Sequence, residues 1–404
     1  MPSFKRALIG AVGGYKNLTR LARKVRGVTE EDVAAERIVS GTAWDEFCDT
    51  LKAAGATING MGAPTDPLTQ AEGYRYLSRL TRAGLEAFLE HADPRAPDLR
   101  RMVHETVKMG ADNPDNHYLN ATISGEYEYT LRGTRGTVHF LHFATQKGGY
   151  GQGGDMPPTG FLDSTELDLG PEGELEIAVA CERPAGARNW LPMERDTGLL
   201  IVRQTFLDRE REVPAELRIE RVGDDARPTP LSAAQVDGGL AMASAFVAGA
   251  SLLFAKWARD FQKHTNELPQ FDPATSTAAG GDPNIAYYHS YWKLEPDEAL
   301  VIEATPPSCE SWNFQLNNHW MESLDYRHHV IHVNKHTATY EPDGGVRIVV
   351  AHEDPGLPNW IDTAGHLHGT MCFRWIKADA HPQPTTRVVK LRELRSGQTA
   401  RENG

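Results

Sequence analysis

"SWNFQLNNHW", residues 311–320, alternates with period two: Trp312, Phe314 and Leu316, with Trp320 beyond them, fall on one face, and Asn313, Gln315, Asn317 and His319 on the other. Successive side chains of a strand leave opposite faces, whereas a helix would repeat every three to four residues, so this stretch predicts a β-strand with a core side. Its second face is polar but uncharged. Such a face ordinarily meets solvent; the alternative is a pocket wall that hydrogen-bonds a ligand.

Other stretches between about 285 and 390 read the same way: "ALVIEA", "HHVIHVN", "VRIVVA" and "TMCFRWIK", with Pro342-Asp343-Gly344-Gly345 as a hairpin turn. Upstream, "HYLNATISGEYEYTLRG", "TVHFLHFA", "ELEIAVA" and "GLLIVRQTF" form a similar strand-rich block over residues 111–225. Many short strands without intervening helices imply antiparallel sandwiches or jelly rolls. Between the blocks, 226–284 carries a helix-like stretch over Leu231 to Lys263. Residues 29–110 read as helical: Thr29 and Asp32 make a cap signature, Trp44, Phe47 and Leu51 recur at helical spacing, and Asp66-Pro67 opens another helix. The expected fold is α+β and mainly β: two antiparallel sandwich or jelly-roll-like modules, an N-terminal helical region and a helical insertion. A basic arm (1–28) precedes them and a disordered tail (391–404) follows. No internal repeat stands out.

The 404 residues suffice for large cores. The net charge of -13 disfavours a nucleic-acid binder, which needs a basic face to neutralise phosphates. Four cysteines without CxxC spacing indicate neither a zinc knuckle nor a disulfide framework and fit a reducing, cytoplasmic setting. No apolar run is long enough for an integral membrane segment. A small-molecule partner is the expectation, with homo-oligomerisation compatible.

"GGYGQGG" satisfies GxGxxG at Gly149, Gly151 and Gly154, but the prolines of the following "DMPPTGFLD" prevent the helix that would hold a pyrophosphate. Residues 317–336 hold five of the 16 histidines. In "HHVIHVNKH" alternation separates His328 and His336 by far more than one ion can bridge. The connection 352–369, "HEDPGLPNWIDTAGHLHG", is longer than a hairpin needs, and structureless connections above about 12–15 residues are often functional. There Asp362 could orient His366, whose imidazole suits proton exchange near neutrality. His366 and His368, an HxH pair, leave a bound transition metal as the lesser alternative, with His319, His352 or Asp362 as third ligand. The expected cofactor is none.

Four blocks, "MGADNPDNHYLNATISGEYEYTLRG", "NWLPMERDTGLLIVRQTF", "NNHWMESLDYRHH" and "VVAHEDPGLPNWIDTAGHLHGTMCFRW", resemble the bacterial domain-of-unknown-function family 1214, often joined to the related family 1254. The resemblance spans roughly residues 100–390 and implies β-sandwich modules with accessory helices. Residues matching its blocks are Asn189, Trp190, Asp325, Tyr326, Arg327, Asn359, Trp360, Asp362, His366, Gly369 and Arg374.

The reading that results is an enzyme acting on a small, largely apolar molecule by His/Asp acid–base chemistry, hydrolysis or elimination, without a cofactor. His366, Asp362, His319 and Arg327 are the candidate catalytic residues. Trp312, Asn313, Trp320, Tyr326, Trp360 and Arg374 are the candidate substrate-binding residues. The alternative is a non-catalytic sandwich protein that binds a lipophilic or carbohydrate ligand.

Overall fold

The computed structural model describes residues 28–149, 156–223 and 227–394; residues 1–27 of the basic arm, the glycine-rich motif from Tyr150 on and the tail from 395 lie outside them. Helix α1 (Glu30–Val39) starts on the reciprocal capping box of Thr29 and Asp32, which satisfies backbone N–H groups that no helical carbonyl can reach. α2 (Thr42–Ile58) follows. α3 (Pro67–Leu85) begins where Asp66 accepts a hydrogen bond from Thr69 N, with Pro67 as its first residue, and runs into a π-turn at Glu86–Glu90. Ser232 and Gln235 cap α4 (Ala233–Phe261), and α5 (Pro273–Ala278) is a short turn. α4 is long and apolar enough to cross a membrane by length and composition, yet 56% of its most apolar window is buried inside the protein. That is how a core helix is placed.

The strands are β1 (Asn116–Thr122), β2 (Tyr129–Thr134), β3 (Phe140–Gln146), β4 (Pro158–Asp163), β5 (Glu174–Ala180), β6 (Asn189–Pro192), β7 (Leu199–Thr205) and β8 (Glu216–Arg221), then β9 (Ile285–Lys293), β10 (Glu298–Ala304), β11 (Cys309–Leu316), β12 (His332–Asn334), β13 (Val346–Ala351), β14 (Trp360–Asp362), β15 (His368–Ala378) and β16 (Thr385–Lys390). They form four sheets, ordered β1-β7-β3-β4 and β6-β5-β2-β8, then β9-β15-β11-β12 and β14-β13-β10-β16. Adding eight to each strand number of the first pair of sheets gives the second pair. Even the parallel pairings correspond, β5 with β6 and β13 with β14, in sheets otherwise antiparallel. The molecule is therefore an α+β protein containing one eight-stranded sandwich twice, a repeat the sequence conceals.

Local contacts repeat with the topology. Asn189 Nδ2 and Trp190 Nε1 donate to Glu176 O and Ala180 O, both at 3.0 Å. Asn359 Nδ2 and Trp360 Nε1 donate to Arg347 O and Ala351 O at 2.9 and 3.1 Å. Arg203 on β7 and Arg374 on β15 correspond, because each faces β3 or β11 at the equivalent register, opposite His142 and Asn313. Each reaches across: Arg203 donates to Gly280 O, ahead of the second sandwich, and Arg374 to Ala111 O, ahead of the first. Ala111 and Gly280 both hold φ in the left-handed region, 58° and 84°.

Each sandwich closes over its own core, the second around Trp292, Trp312, Phe314, Phe373 and Trp375. The polar face of "SWNFQLNN", expected to meet solvent, is instead buried: Asn313, Gln315, Asn317 and His319 are all 2% exposed or less. The segment entering β1 covers it. Asn313 Nδ2 donates to Asn113 Oδ1 and Asp115 Oδ2 at 2.7 and 2.8 Å, and Gln315 Nε2 to Asp112 O at 2.9 Å. Polar groups so buried need partners, and these have them. The rest of this outer face joins the helical layer in a third core with Tyr76, Phe246, Phe254 and Trp320. There Gly73 of α3 is required, since a Cβ at that position would lie 2.8 Å from the Trp320 ring.

Three further expectations change. "HHVIHVNKH" is strand only over His332–Asn334, because His328 N and His329 N turn back to Asp325 O. The connection 352–369 contains β14, so it is no structureless loop. The tail begins ordered, residues 391–394 forming a helical turn with Leu391 buried.

Candidate active site

Period two along "IAYYHSYWK" puts Tyr287, His289 and Tyr291 on the outer face of β9, and the register with β15 brings Tyr291 beside Thr370 and near His368. Tyr291 Oη lies 3.0 Å from His368 Nδ1 and 3.1 Å from His319 Nδ1. His368 Nε2 lies 3.2 Å from Asp66 Oδ2, the carboxylate that caps α3 through its other oxygen, Oδ1. Four titratable groups thus form one chain, His319–Tyr291–His368–Asp66. It runs from a histidine that is 2% exposed to a carboxylate that is 41% exposed.

The carboxylate fixes the direction of this chain. Asp66 is ionised and can only accept, so His368 must present Nε2–H to it and keep Nδ1 as an acceptor. Nδ1 then takes the phenolic proton of Tyr291, and Tyr291 Oη in turn accepts from His319 Nδ1–H. His319 Nε2 is left as the unprotonated nitrogen, a base oriented from behind.

Electrostatics agree. Burial, reinforced by His368, pushes His319 down to about 4. Burial also lowers His368, outweighing Asp66, and raises the Tyr291 phenol well above its ordinary value. The chain is neutral at pH 7 up to Asp66. Burial would raise Asp66, but the Thr69 backbone and side-chain hydrogen bonds and His368 hold it below the ordinary carboxylate range.

Beside the chain, His366 Nε2 lies 3.2 Å from Glu72 Oε1, with the ring turned so that the contact is an ion pair rather than a well-aligned hydrogen bond. Burial works against the charge on His366, yet Glu72 overrides it and raises His366; reciprocally, His366 holds Glu72 low despite burial. Glu72 thus favours the protonated form of His366, whereas burial holds His319 neutral.

Of the predicted catalytic residues, His366 and His319 fall in this region. Asp362 does not pair with His366: its Oδ2 lies 2.6 Å from His329 Nδ1 and its Oδ1 accepts from Ala364 N. Arg327 is engaged by Asp325 on an exposed turn, in two hydrogen bonds from its guanidinium and one from its backbone N–H. Among the predicted substrate-binding residues, Trp312 and Trp320 are fully buried and donate to Tyr340 Oη and Thr69 O; Trp320 stands edge-on to His319 at 4.9 Å. Asn313 and Arg374 belong to the seam between the sandwiches. Tyr326 lies under the Lys108 ammonium at 4.5 Å, and Trp360 braces β14. His366 and His368 face different carboxylates, and among the described residues no group of three or more His, Cys, Asp or Glu is placed to hold a metal. Sequence reading passed over Tyr291, Asp66 and Glu72. Alternation in "IAYYHSYWK" could have exposed Tyr291; nothing local marks Glu72, which sits on a helix far from its partner in sequence.

Residues 295–380 match the family described as protein of unknown function (DUF1214). A crystal structure of an uncharacterised protein from Burkholderia cenocepacia is 53% identical with a TM-score of 0.86, covering 89% of this chain and 99% of that one. This chain belongs to the DUF1214 family. A second structure, the VPA0106 protein from Vibrio parahaemolyticus, is 13% identical with a TM-score of 0.46, covering 79% of this chain and 98% of that one. No curated protein matches. The DUF1214 match covers β10 to β15, which includes His319, His366 and His368, whereas Asp66, Glu72 and Tyr291 lie outside it.

Proposed function

We propose that this DUF1214 protein is an enzyme acting on a small, largely apolar molecule by acid–base chemistry, hydrolysis or elimination, with His319 Nε2 as the base. The directed chain His319–Tyr291–His368–Asp66 carries this reading. When His319 Nε2 takes a proton, its Nδ1 proton passes to Tyr291, the phenolic proton to His368 Nδ1, and the Nε2 proton of His368 to Asp66 at the surface. Each acceptor is within 3.2 Å of its donor. A cytoplasmic setting is supported by four unpaired cysteines.

The test is turnover of a fractionated metabolite extract by wild type, Tyr291→Phe and His319→Gln, read by mass spectrometry. General acid–base catalysis contributes roughly 10²–10⁴-fold, so both variants should lose about 100-fold or more while keeping the wild-type circular dichroism. Failure of the wild type to convert any component, or equal conversion by both variants, would sink the proposal.

A second reading, a non-catalytic binding protein, draws on a cleft of about 190 Å³ bounded by Ala43, Phe47 and Ala245, with Arg37 and Asp237 paired beside it. Native mass spectrometry separates the two: a ligand carried through purification and recovered unchanged favours binding.

A further inference from the structure

The base proposed above is 2% exposed, so a substrate meets His319 Nε2 only after part of its surround has moved. One segment of that surround is lightly tied. Residues 363–367 join β14 to β15, and among the described residues the one backbone hydrogen bond that leaves them runs from Leu294 N to Leu367 O at 3.0 Å. Ala364 and Gly365 both hold φ in the left-handed region, 48° and 80°. A Cβ disfavours that conformation, so Ala364 is kept there by the contacts around the segment and not by its own preference.

Those contacts come from side chains. Thr363 Oγ1 lies 2.9 Å from His352 Nδ1 at one end, and His368 Nε2 lies 3.2 Å from Asp66 Oδ2 just past the other. Between them His366 turns inward against Glu72, while Leu367, 52% exposed, turns out. The chain then enters β15 against the residues ahead of the base: Asn317 N donates to Thr370 O at 2.8 Å and Thr370 N to Asn318 O at 3.3 Å.

The His366 contact is the one that a proton can switch. α3 presents Glu72 and also Arg75, whose Nη2 is 2.9 Å from Glu72 Oε1. From the turn after β11, the Asn318 amide helps hold Glu72 low, with Glu322 and its partner Arg79 behind it. β15 presents His368, with Asp66 and Lys293 beside it. The segment itself offers the carbonyls of Thr363 and Ala364 to His366 Nδ1, at 3.1 and 3.0 Å. Neutral His366 keeps its Nδ1–H on those carbonyls, which leaves the Nε2 lone pair facing a carboxylate, two acceptors in contact. Glu72 retains Arg75 and Asn318, so the imidazole is the partner that lets go.

We propose that residues 363–368 are a strap over the histidine site, closed while protonated His366 faces Glu72 and released when that proton leaves. The strap controls access to His319 and so rests on the acid–base reading above, yet its opening is measured without turnover.

Hydrogen–deuterium exchange of the full chain, read by mass spectrometry over peptides spanning 360–372 and corrected for intrinsic rates, compares pH 6 with pH 9. Relative to β10, protection of the strap should fall about tenfold or more at the higher pH, the size of a contact to a charged group. Glu72→Gln should lower protection already at pH 6 and remove most of the pH dependence; His366→Gln serves should Glu72→Gln fail to fold. Equal wild-type protection at both pH values overturns the proposal. So does pH dependence that persists in Glu72→Gln, and its disappearance in His329→Gln would then assign it to the His329–Asp362 contact. Lost turnover in Tyr291→Phe beside a pH-independent strap sinks the strap alone; a pH-released strap in a protein that converts nothing sinks the acid–base reading alone.

Discussion

The first and second sandwiches share strand order, parallel pairings, an Asn-Trp brace and a crossing arginine, yet among the described residues only the second carries a chain like His319–Tyr291–His368–Asp66. Carried across by the registers that match Tyr118 with Tyr287 and Arg203 with Arg374, Tyr291 corresponds to Thr122, His368 to Thr197 and His319 to Gly148. Thr197 spends its hydroxyl on Glu194 N and Thr159. The shared plan is thus a scaffold, and the chemistry sits where the second copy's outer face meets α3 and α4. A duplicated fold can hold a site in one copy because packing fixes the inner faces and leaves the outer ones free to diverge.

The comparison can be pressed at positions where the copies differ. Arg374→Gln should cost about 4 kcal/mol by urea denaturation, since buried oxygens of Asn313, Gln315 and Ala111 would each lose a donor at roughly 1–3 kcal/mol before relaxation. Arg203→Gln, with one hydrogen bond to lose, should cost about 1 kcal/mol. Equal losses would mean that the seam is not asymmetric.

The pH dependence of stability should come from buried histidines. His319 titrates near 4 folded but about 6.5 unfolded, so the unfolded chain takes up the proton first. The stability it contributes is complete above pH 6.5 and is lost as pH falls toward 4, up to roughly 3 kcal/mol at about 1.4 kcal/mol per unit. His117 and His289, lowered to about 4 and about 3 chiefly by burial, act in the same direction. His366, raised, acts oppositely: its contribution is present below pH 6.5 and lost as pH rises through its folded value. Unfolding at pH 7 and pH 4.5 should show a net loss in acid, smaller in His319→Gln; an unchanged difference in that variant would contradict burial of a neutral His319.

Gly369→Ala should cost about 2 kcal/mol, because its Cβ would fall 2.1 Å from Asn317 O, whereas the counterpart Gly198 has nothing within 4 Å. Gly198→Ala should be near neutral, and calorimetric melting of both variants checks the contrast. Trp190→Phe and Trp360→Phe should each lose about 1 kcal/mol, one indole hydrogen bond apiece. A gap wider than about 1 kcal/mol between them would show that the two braces are not equivalent.

The modules, the caps at Thr29 and Asp66 and the hairpin at Pro342–Gly345 were legible because each is written within a few residues. The repeat was not. It resides in strand order and in a few contacts such as Asn189 with Asn359, separated by residues that satisfy the same alternation with different side chains. For the polar face of β11, period two predicted the alternation correctly, but its partner lies some 200 positions upstream at Asn113 and Asp115, so pattern alone could not distinguish solvent from a buried seam. At the site, the histidine-rich stretch 317–336 marks His319, and the long connection 352–369 marks His366. The pairing of His366 with Glu72 rather than Asp362 is a tertiary choice that loop spacing does not encode.

Asp66 closes the first turn of α3 with one oxygen and receives His368 with the other. The protonation of an imidazole some 300 residues away is therefore written into the fraying of a helix end, and the amide of Thr69 becomes a natural reporter: its exchange with deuterium should quicken whenever Asp66 is drawn off the cap. A spectroscopist watching that single backbone hydrogen would be reading the charge state of the histidine chain without touching it.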